Sequence, residues 1–395
     1  MPADLTPSNP TASATRTEAA AWSARLAATG RLAAYRQIVV WWALSRVLVL
    51  GSALTVQVIG WPRSDWYPSA LDQPFALLGA WDGRWYRMIA ENGYFVIPQE
   101  QSDTAFYPLF PLLLHAFGSL GLSLDAAGLL LANGGFLVGL VALYELARSW
   151  LPERDAMRTV IYAAVTPFGF IFSMVYPEGI VIAAMALAGL FAVRGRWLAC
   201  AAAAAVATAG RPEGFFLVLP IAAVALHVWP RLSASERGRA VAAVLAAPAA
   251  LAGFALYQWL AVGDPLAFSE AQREWGRYVS IDGVWRAGEE LLQASANDRE
   301  WLYRDAAFLV LYVVCLAVAW RARVPRSWVA AGAAIVLLPL VSGSVTSIAR
   351  FGLLALPIYA GLAVLGRRAW LHRALVGVSS ALLCLGTATL LLHWP

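Results

Sequence analysis

The sequence of 395 residues is 60% hydrophobic and 13% charged, whereas an ordinary soluble domain is about 45–50% apolar and about 25% charged. This composition excludes a soluble globular protein and indicates a polytopic membrane protein. The net charge of +5 does not indicate a nucleic-acid partner, because all 29 basic residues are Arg and lie in short clusters between apolar runs, where they orient a chain in a bilayer.

Residues 1–37 are polar and rich in Ala, Thr and Ser. The apolar segment that follows them is too long for the core of a signal peptide. We therefore expect a disordered cytoplasmic arm over residues 1–37 and a single transmembrane domain over residues 38–392.

Eleven apolar segments follow this arm, and we expect each of them to cross the membrane as a helix. A bilayer core of about 30 Å needs about 20 apolar residues per helix, and shorter helices fit where their neighbours bury them. The expected fold is therefore an all-α transmembrane bundle. Pro167 and Pro220 are expected to kink the helices that hold them. The predicted spans are 38–60, 126–147, 158–175, 179–193, 197–210, 215–229, 240–262, 306–320, 328–347, 352–366 and 374–392.

The apolar stretch 106–124 differs from these spans, because two prolines stand near its start and Asp125 follows it. We expect a re-entrant or interfacial helix there, inside a longer segment, 61–125, that lies outside the membrane. A second such segment covers residues 263–305. Neither segment shows the alternation of period two that is typical of strands, so both are expected to form short helices on the membrane surface.

The distribution of charge predicts the orientation of the bundle. If the N-terminus is cytoplasmic, the loops on that side carry 18 Arg and 6 acidic residues, and the loops on the other side carry 10 Arg and 18 acidic residues. Arg concentrates on the cytoplasmic side of membrane proteins. We therefore distinguish an Arg-rich side, predicted to be cytoplasmic, from an acidic side, predicted to be extracytoplasmic. The unusual polar motifs all fall on the acidic side, as expected for an enzyme with its site at the outer surface of the cell membrane.

Asp82 is the first candidate for chemistry. It stands in Trp81-Asp82-Gly83, between an interfacial aromatic residue and a flexible glycine. A carboxylate in such surroundings suits a general base. The alternative is that Asp82 caps a helix that begins near Arg84, because Asp is a preferred N-cap residue.

Arg211 and Arg350 are candidates for binding an anion. Both stand beside membrane-embedded helices, where an unpaired guanidinium is costly and usually has an anionic partner. Together with Arg273 and Arg277 on the same side of the membrane, they could clamp a phosphate group.

The alternative for these arginines is a structural pairing with Glu178 or Glu213. Each of the two carboxylates stands next to Pro and Gly at the start of an apolar helix. The helix dipole favours a negative charge at that position whatever the function of the protein.

Arg46 lies inside the first predicted span, where it either serves a function or extends its side chain to the Arg-rich surface. The four His residues are scattered, the three Cys residues fall in apolar runs, and no Asp-x-Asp pattern occurs. None of these spacings is typical of a metal site. We therefore expect neither a metal nor a cofactor.

Taken in order, four motifs resemble those of the bacterial relatives of the second GPI-anchor mannosyltransferase family, within the GT-C superfamily of membrane glycosyltransferases. The resemblance covers approximately residues 38–366. It departs from the family at Tyr176-Pro177-Glu178, where Tyr-Ser-Glu is common, and at Arg211-Pro212-Glu213-Gly214, which carries an additional carboxylate. The motifs are Trp81-Asp82-Gly83, Phe106-Tyr107-Pro108-Leu109-Phe110-Pro111, the block from Gly263-Asp264-Pro265 to Trp275-Gly276-Arg277, and Arg350-Phe351 followed by Pro357.

The resemblance implies a GT-C fold, a polyprenyl-phosphate-linked sugar as donor, usually mannose, and an extracytoplasmic site in which a carboxylate acts as base. Asp82 matches that carboxylate. The implied reaction is an inverting displacement that transfers the sugar to a glycolipid, glycan or protein acceptor. The expected partners also include membrane lipids, and no nucleic acid is expected. The residues expected to bind donor or acceptor are Trp81, Arg84, Trp85, Tyr107, Tyr176, Glu178, Arg211, Glu213, Asp264, Gln272, Arg273, Trp275 and Arg350.

Two other functions fit the same composition. A transporter or flippase of a lipid-linked saccharide would place ionisable residues near the bilayer midplane and often shows inverted repeats. Here the acidic residues gather on one side and no repeat is visible. An assembly subunit would keep the same fold without turnover, and it would not depend on Asp82.

Overall fold

The computed structural model describes residues 10–59, 75–96, 101–296 and 298–390. Within these ranges every regular element is helical and no strand occurs, which confirms the predicted all-α class. The helices are α1 (Pro10–Ile59), α2 (Asp82–Asn92), α3 (Leu109–Ser119), α4 (Leu124–Ala147), α5 (Glu153–Ala164), α6 (Glu178–Val193), α7 (Trp197–Gly210), α8 (Val218–Val228), α9 (Ala234–Val262), α10 (Ala267–Glu274), α11 (Gly283–Leu292), α12 (Arg299–Arg321), α13 (Arg326–Val341), α14 (Ile348–Phe351), α15 (Pro357–Leu365) and α16 (Ala369–Ala388).

Each of the eleven predicted spans falls on one or two of these helical elements. By length and hydropathy, six helical segments of the described chain can cross a membrane, and a bent pair covering α14 and α15 is a seventh candidate with an angle of 93°. Helices α3, α6, α7 and α13 are apolar but shorter. The six segments are Gly30–Ile59, Leu124–Ala147, Pro212–Arg231, Ala234–Val262, Arg299–Arg321 and Ala369–Ala388.

The structure differs from the sequence prediction at two elements. Helix α1 begins at Pro10, so residues 10–37 are helical where a disordered arm was expected, because their Ala-rich composition favours helix. The predicted span 158–175 is broken: α5 ends at Ala164 and a 3₁₀ turn follows at Gly169–Ser173, since Pro167 disfavours helical backbone in the residue before it. Residues 1–9 of the arm and residues 61–74 and 97–100 of the first outer segment lie outside the described residues.

The buried Arg46 of α1 holds this 3₁₀ turn. Its guanidinium donates to Oγ of Ser173 at 2.7 Å and to the carbonyl oxygen of Gly169 at 3.2 Å, and its Cζ lies 4.8 Å from the ring centroid of Phe136. The side chain is 4% exposed, so it packs inside the bundle and does not extend to the Arg-rich surface.

Charged loops gather at two opposite ends of the bundle. At one end, Glu145 in the last turn of α4 pairs with Arg194 at 3.0 Å. At the other, Asp125 in the first turn of α4 pairs with Arg87. The 24 residues of α4 span about 36 Å at about 1.5 Å per residue. We call these the Arg-rich end and the acidic end, because they collect the loops that the charge pattern assigned to those sides.

Close packing of α4 against α6 positions the acidic end. A Cβ atom added to Gly179 would overlap the carbonyl oxygen of Ala132, and one added to Gly135 would crowd the backbone of Gly179. Small residues allow this approach of two backbones inside a membrane. Since Gly179 follows Glu178 directly, the same contact fixes the carboxylate that begins α6.

Candidate functional site

Five buried charged side chains at the acidic end form one ionic network: Asp82, Glu178, Arg211, Glu213 and Arg350. Arg350 donates from Nη1 to Oδ2 of Asp82 at 2.5 Å and from Nε to Oε1 of Glu178 at 2.7 Å. Arg211 donates from Nη1 to the same Glu178 oxygen at 2.8 Å, and it holds Glu213 through Nε and Nη2 at 3.0 and 2.9 Å.

Helix ends supply the members of this network. Asp82 is the first residue of α2 and Glu178 is the first residue of α6. Arg211 is the C-cap of α7, Glu213 follows in the 3₁₀ turn Pro212–Leu217, and Arg350 lies in α14. The helix dipole favours a carboxylate at the start of α2 and of α6. The helix dipole and the ion pairs therefore both stabilise Asp82 and Glu178 in their charged forms.

The network carries one excess negative charge, because three carboxylates face two guanidinium groups. Asp82 stands at its end and contacts one arginine, whereas Glu178 lies between two. Oδ1 of Asp82 accepts no hydrogen bond from the part of the chain that the structure describes. Asp82 is therefore held less tightly by ion pairs than Glu178.

The backbone at Trp81 turns the carboxylate of Asp82 into the bundle. Trp81 has φ of 55° and ψ of −122°, a region that residues other than Gly rarely adopt. Trp81 is the N-cap residue of α2 and Asp82 is the first residue of the helix. The N–H of Asp82 donates to Oη of Tyr176 at 3.1 Å. The ring of Tyr176 in turn lies 4.4 Å from Cζ of Arg350. The carboxylate thus binds Arg350, and the N-cap position that the alternative gave to Asp82 is occupied by Trp81.

Asp305 of α12 shapes the loop that precedes Arg350. Its carboxylate accepts the backbone N–H of Ser347 at 2.9 Å and that of Ala349 at 3.0 Å. Ser347 has a φ of 66°, in the left-handed region, which the two hydrogen bonds stabilise. The buried Asp305 therefore sets the direction in which Arg350 leaves the loop.

Glu290 of α11 holds the beginning of the same loop. It accepts the hydroxyl of Ser344 at 2.8 Å, the N–H of Val345 at 2.8 Å and the hydroxyl of Thr346 at 3.3 Å. Hydrogen bonds to a charged carboxylate are stronger than those between neutral groups. Two carboxylates from neighbouring helices thus fix the loop 344–349.

A cavity of about 910 Å³ opens at the acidic end, beside this network. Volumes up to about 1,000 Å³ are typical of ligand sites. Four of the five network residues line it, and Leu302 of α12 with Leu338 and Pro339 of α13 line another part. Aromatic side chains form a further part of the wall: Phe106, Tyr107, Phe268 and Trp275.

Seven of the fourteen residues that the sequence assigned to catalysis or to binding of donor and acceptor line this cavity. Tyr176 and Glu178 are buried behind the wall, where they contact Asp82 and Arg350. Gln272 faces the cavity and its amide lies 3.5 Å from the carbonyl oxygen of Ala105. The seven are Asp82, Tyr107, Arg211, Glu213, Gln272, Trp275 and Arg350.

The other five predicted residues lie outside the cavity. Trp81 donates from Nε1 to the carbonyl oxygen of Leu390 at 2.8 Å, and the ring of Trp85 stacks on that of Phe106 at 5.7 Å. Asp264 accepts the N–H of Leu266 at 2.8 Å in a local turn. Arg84 and Arg273 are exposed.

Three residues outside the list of expected catalytic and binding residues belong to the site, and one of them, Arg277, was a sequence candidate for the phosphate clamp. Arg277 and Glu290 line the cavity, and Asp305 fixes the loop beside it. The motif Trp275-Gly276-Arg277 already pointed to Arg277. Nothing in the sequence separates Glu290 from its exposed neighbour Glu289, because only tertiary packing turns one of them inward.

A further buried carboxyl group lies behind the aromatic wall. Asp103 accepts the N–H of Phe95 at 2.9 Å through Oδ1, and its Oδ2 has no hydrogen-bond partner among the described residues. Burial raises the pKa of Asp103 to about 6, against an ordinary value of 3.8. In the described ranges no group of three or more His, Cys, Asp or Glu side chains is arranged to hold a metal ion.

Among known proteins, similarity to this chain was found only in solved structures. No family model and no curated protein matches the chain. An apo oligosaccharyltransferase of Archaeoglobus fulgidus is 12% identical, with a TM-score of 0.45 over 88% of this chain and 56% of that one. The archaeal oligosaccharyltransferase AglB of the same organism, in complex with an inhibitory peptide and a dolichol-phosphate, is 13% identical, with a TM-score of 0.43 over 89% and 55%. This chain therefore spans about half the length of these structures.

Proposed function

We propose that this protein is a membrane glycosyltransferase that moves a sugar from a polyprenyl-phosphate donor to a hydroxyl group of an acceptor. The observation that carries the proposal is the contact between Asp82 and Arg350 at the wall of a cavity between membrane helices. It puts a candidate base and a candidate phosphate ligand side by side. The motif resemblance favours mannose as the sugar and a glycolipid, glycan or protein as the acceptor.

The proposed reaction is a single displacement at the anomeric carbon. Asp82 takes the proton of the acceptor hydroxyl as its oxygen forms the new bond to that carbon. The bond from the same carbon to the donor phosphate breaks, and its electron pair stays on the phosphate oxygen. In inverting transfer the base stands on the face of the sugar opposite the leaving group.

Charge balance explains why Arg350 is suited to this step. The donor phosphodiester has one negative charge and the departing phosphate monoester has two, whereas Asp82 loses its charge on taking the proton. The total charge at the site is therefore constant, but its centre moves from Asp82 towards the phosphate. A guanidinium that contacts Asp82 and has further N–H groups is suited to follow that shift.

The membrane setting supports a lipid-linked donor. Leu302, Leu338 and Pro339 belong to helices α12 and α13 and line the cavity together with the polar residues. An isoprenoid chain among these helices would bring its phosphate to the site without leaving the bilayer. The proposed reaction uses no cofactor.

The charge pattern supports a location in the cell membrane with a cytoplasmic N-terminus. The site would then face the extracytoplasmic side, because the ionic network and the cavity lie at the acidic end. Donors and acceptors would meet at that surface.

Reconstitution tests the proposal. The full chain in lipid nanodiscs is incubated with polyprenyl-phosphate-mannose and a membrane lipid extract, and the products are measured by mass spectrometry. We expect an acceptor that has gained one hexose, together with free polyprenyl phosphate. A parallel assay in sealed proteoliposomes measures movement of the intact donor across the membrane. Such movement without a new glycoside would contradict the proposal and support a flippase.

A further inference from the structure

The arginines of the acidic end differ in how many of their N–H groups are already bound. All three nitrogens of the Arg211 guanidinium donate to carboxylates, namely to Glu178 and Glu213. Arg273 is exposed on α10 and does not line the cavity. Every nitrogen of the Arg211 guanidinium is thus already held by a carboxylate, and Arg273 lies away from the cavity.

Arg350 has one guanidinium nitrogen that donates no hydrogen bond. Its Nε and Nη1 bind Glu178 and Asp82, but the buried Nη2 has no hydrogen-bond partner among the described residues. Arg350 is 2% exposed and lines the cavity. A buried, charged N–H group without an acceptor is unfavourable and is explained best by a ligand.

Arg277 is the second incompletely used guanidinium. Its Nη2 donates to the carbonyl oxygen of Thr346 at 2.9 Å and to Oγ of Ser347 at 3.4 Å. It makes no ion pair with any carboxylate that the structure describes, and it lines the cavity. A carbonyl and a hydroxyl hold the side chain in place, and no carboxylate of the described chain is close enough to form an ion pair with it.

Arg277 and Arg350 meet at one aromatic ring. Cζ of Arg277 lies 5.0 Å from the ring centroid of Phe351, and Cζ of Arg350 lies 5.9 Å from the same centroid. Burial and the charge of Arg350 lower the pKa of Arg277 to about 10, which leaves it protonated at neutral pH. The two guanidinium groups lie near each other, line the same cavity and have N–H groups without an acceptor. Such a pair can bind one anion together.

We infer that Arg277 and Nη2 of Arg350 form a phosphate subsite. Its ligand is the phosphate of the lipid-linked donor, and this assignment rests on the proposed function. A phosphate bound there would contact Arg350, which also donates to Asp82. The same guanidinium would therefore contact both the leaving group and the proposed base. Arg211 then has a structural role, in which it binds Glu178 and Glu213.

Donor kinetics test the assignment through three variants. Arg277→Gln removes the charge, Arg277→Lys keeps it without the planar fork, and Arg273→Gln is the matched control four residues away, on α10 and outside the cavity. We expect Arg277→Gln to raise the donor KM about 10- to 100-fold with a smaller change in kcat. Arg277→Lys should fall between this variant and the wild type, and the control should stay within about twofold of the wild type. An unchanged donor KM in both Arg277 variants would overturn the assignment of the subsite. It would not contradict the proposed transferase function.

A binding measurement separates the subsite from the reaction. Wild type and variants in nanodiscs of neutral lipid are titrated with polyprenyl phosphate, with inorganic phosphate and with phosphatidylglycerol, and tryptophan fluorescence is recorded. Binding of polyprenyl phosphate that is lost in Arg277→Gln supports the donor subsite even if no sugar transfer is found. Equal binding of polyprenyl phosphate by all variants overturns it, and a preference for phosphatidylglycerol would assign the site to a lipid headgroup. If Arg277→Gln does not fold, Arg277→Lys decides between these outcomes.

Discussion

Glu178 accepts hydrogen bonds from Arg211 and Arg350 through one oxygen, Oε1, at 2.8 and 2.7 Å. This contact links the structural pair Arg211–Glu213 to the pair that faces the ligand, Arg350–Asp82. The orientation of Arg350 therefore depends on a carboxylate that does not itself line the cavity. Because Glu178 begins α6 beside the tight contact with α4, helix packing and site geometry are coupled.

Arg350 should tolerate Lys better than Ala. Arg350→Ala leaves Asp82 and Glu178 without their partner, and breaking a buried ion pair in this way costs about 3–5 kcal/mol of stability. Arg350→Lys keeps the charge but loses the planar fork. We expect both to weaken donor use, Ala more than Lys, by about 10- to 100-fold in donor affinity. Thermal unfolding and donor titration measure the two effects, and equal donor affinity in all three proteins would assign Arg350 to structure alone.

Glu290→Gln should impair turnover by loosening the loop before Arg350. The amide keeps one acceptor oxygen but cannot match the charge-assisted bonds to Ser344 and Val345. Loss of such bonds costs about 1.5–3 kcal/mol, so we expect a lower unfolding temperature and a kcat reduced about tenfold. The control is Glu289→Gln, an exposed neighbour on the same helix that bonds within its own helix to Trp285 at 2.7 Å. Equal kcat values for the two variants would remove Glu290 from the positioning of Arg350.

Asp103 should make stability depend on pH. Its pKa is about 6 in the folded protein and near 3.8 in an unfolded chain, so the folded state retains a proton that the unfolded state releases as the pH rises between these values. The free energy of unfolding therefore decreases across this interval and is constant above it. Asp103→Asn should flatten this profile and raise stability at pH 7–8 by about 1–3 kcal/mol.

Thermal unfolding of the purified protein between pH 4 and 8 measures this effect. The exposed Glu270→Gln serves as the control, since it should keep the wild-type profile. A profile that Asp103→Asn leaves unchanged would show that the carboxyl group is hydrated in the folded protein.

Cysteine labelling should distinguish the two ends of the bundle. Cys200 and Cys315 are buried, so replacing the partly exposed Cys384 by Ser gives a background of low reactivity. A cysteine at the exposed Ser269 should react with a membrane-impermeant maleimide added to intact cells, and one at the exposed Ser235 should react only after permeabilisation. The opposite pattern would reverse the orientation and place the cavity on the cytoplasmic side.

The architecture was largely predictable from composition, because each apolar segment must form a helix in lipid. The helix boundaries were less predictable. Ala-rich residues extend α1 back to Pro10, and the predicted span 158–175 is broken near Pro167. All five members of the ionic network stood out because charges next to membrane helices are rare.

The sequence offered the pairing of Arg211 and Arg350 with Glu178 and Glu213 as one of two alternatives, and the structure confirms it. The pairing of Arg350 with Asp82 was not predictable. Asp82 and Arg350 are separated by 268 positions, and only the tertiary packing of α2, α6 and α14 brings them together. Glu290 and Asp305 were missed for the same reason, since their partners are backbone and hydroxyl groups of a loop that has no charged motif of its own. Arg84 and Arg273 were included because they stand in motifs, yet their helices turn them to the exposed surface.

Asp82→Asn tests the proposed reaction most directly. Asn keeps the size of the side chain and can accept the hydrogen bond from Arg350, but its amide cannot take a proton at neutral pH. We expect the variant to fold, insert and bind the donor while sugar transfer falls by about 10²–10⁴-fold. Glu91→Gln, exposed at the other end of α2, should transfer sugar at the wild-type rate. Near-normal transfer by a well-folded Asp82→Asn protein would contradict the assignment of Asp82 as the base.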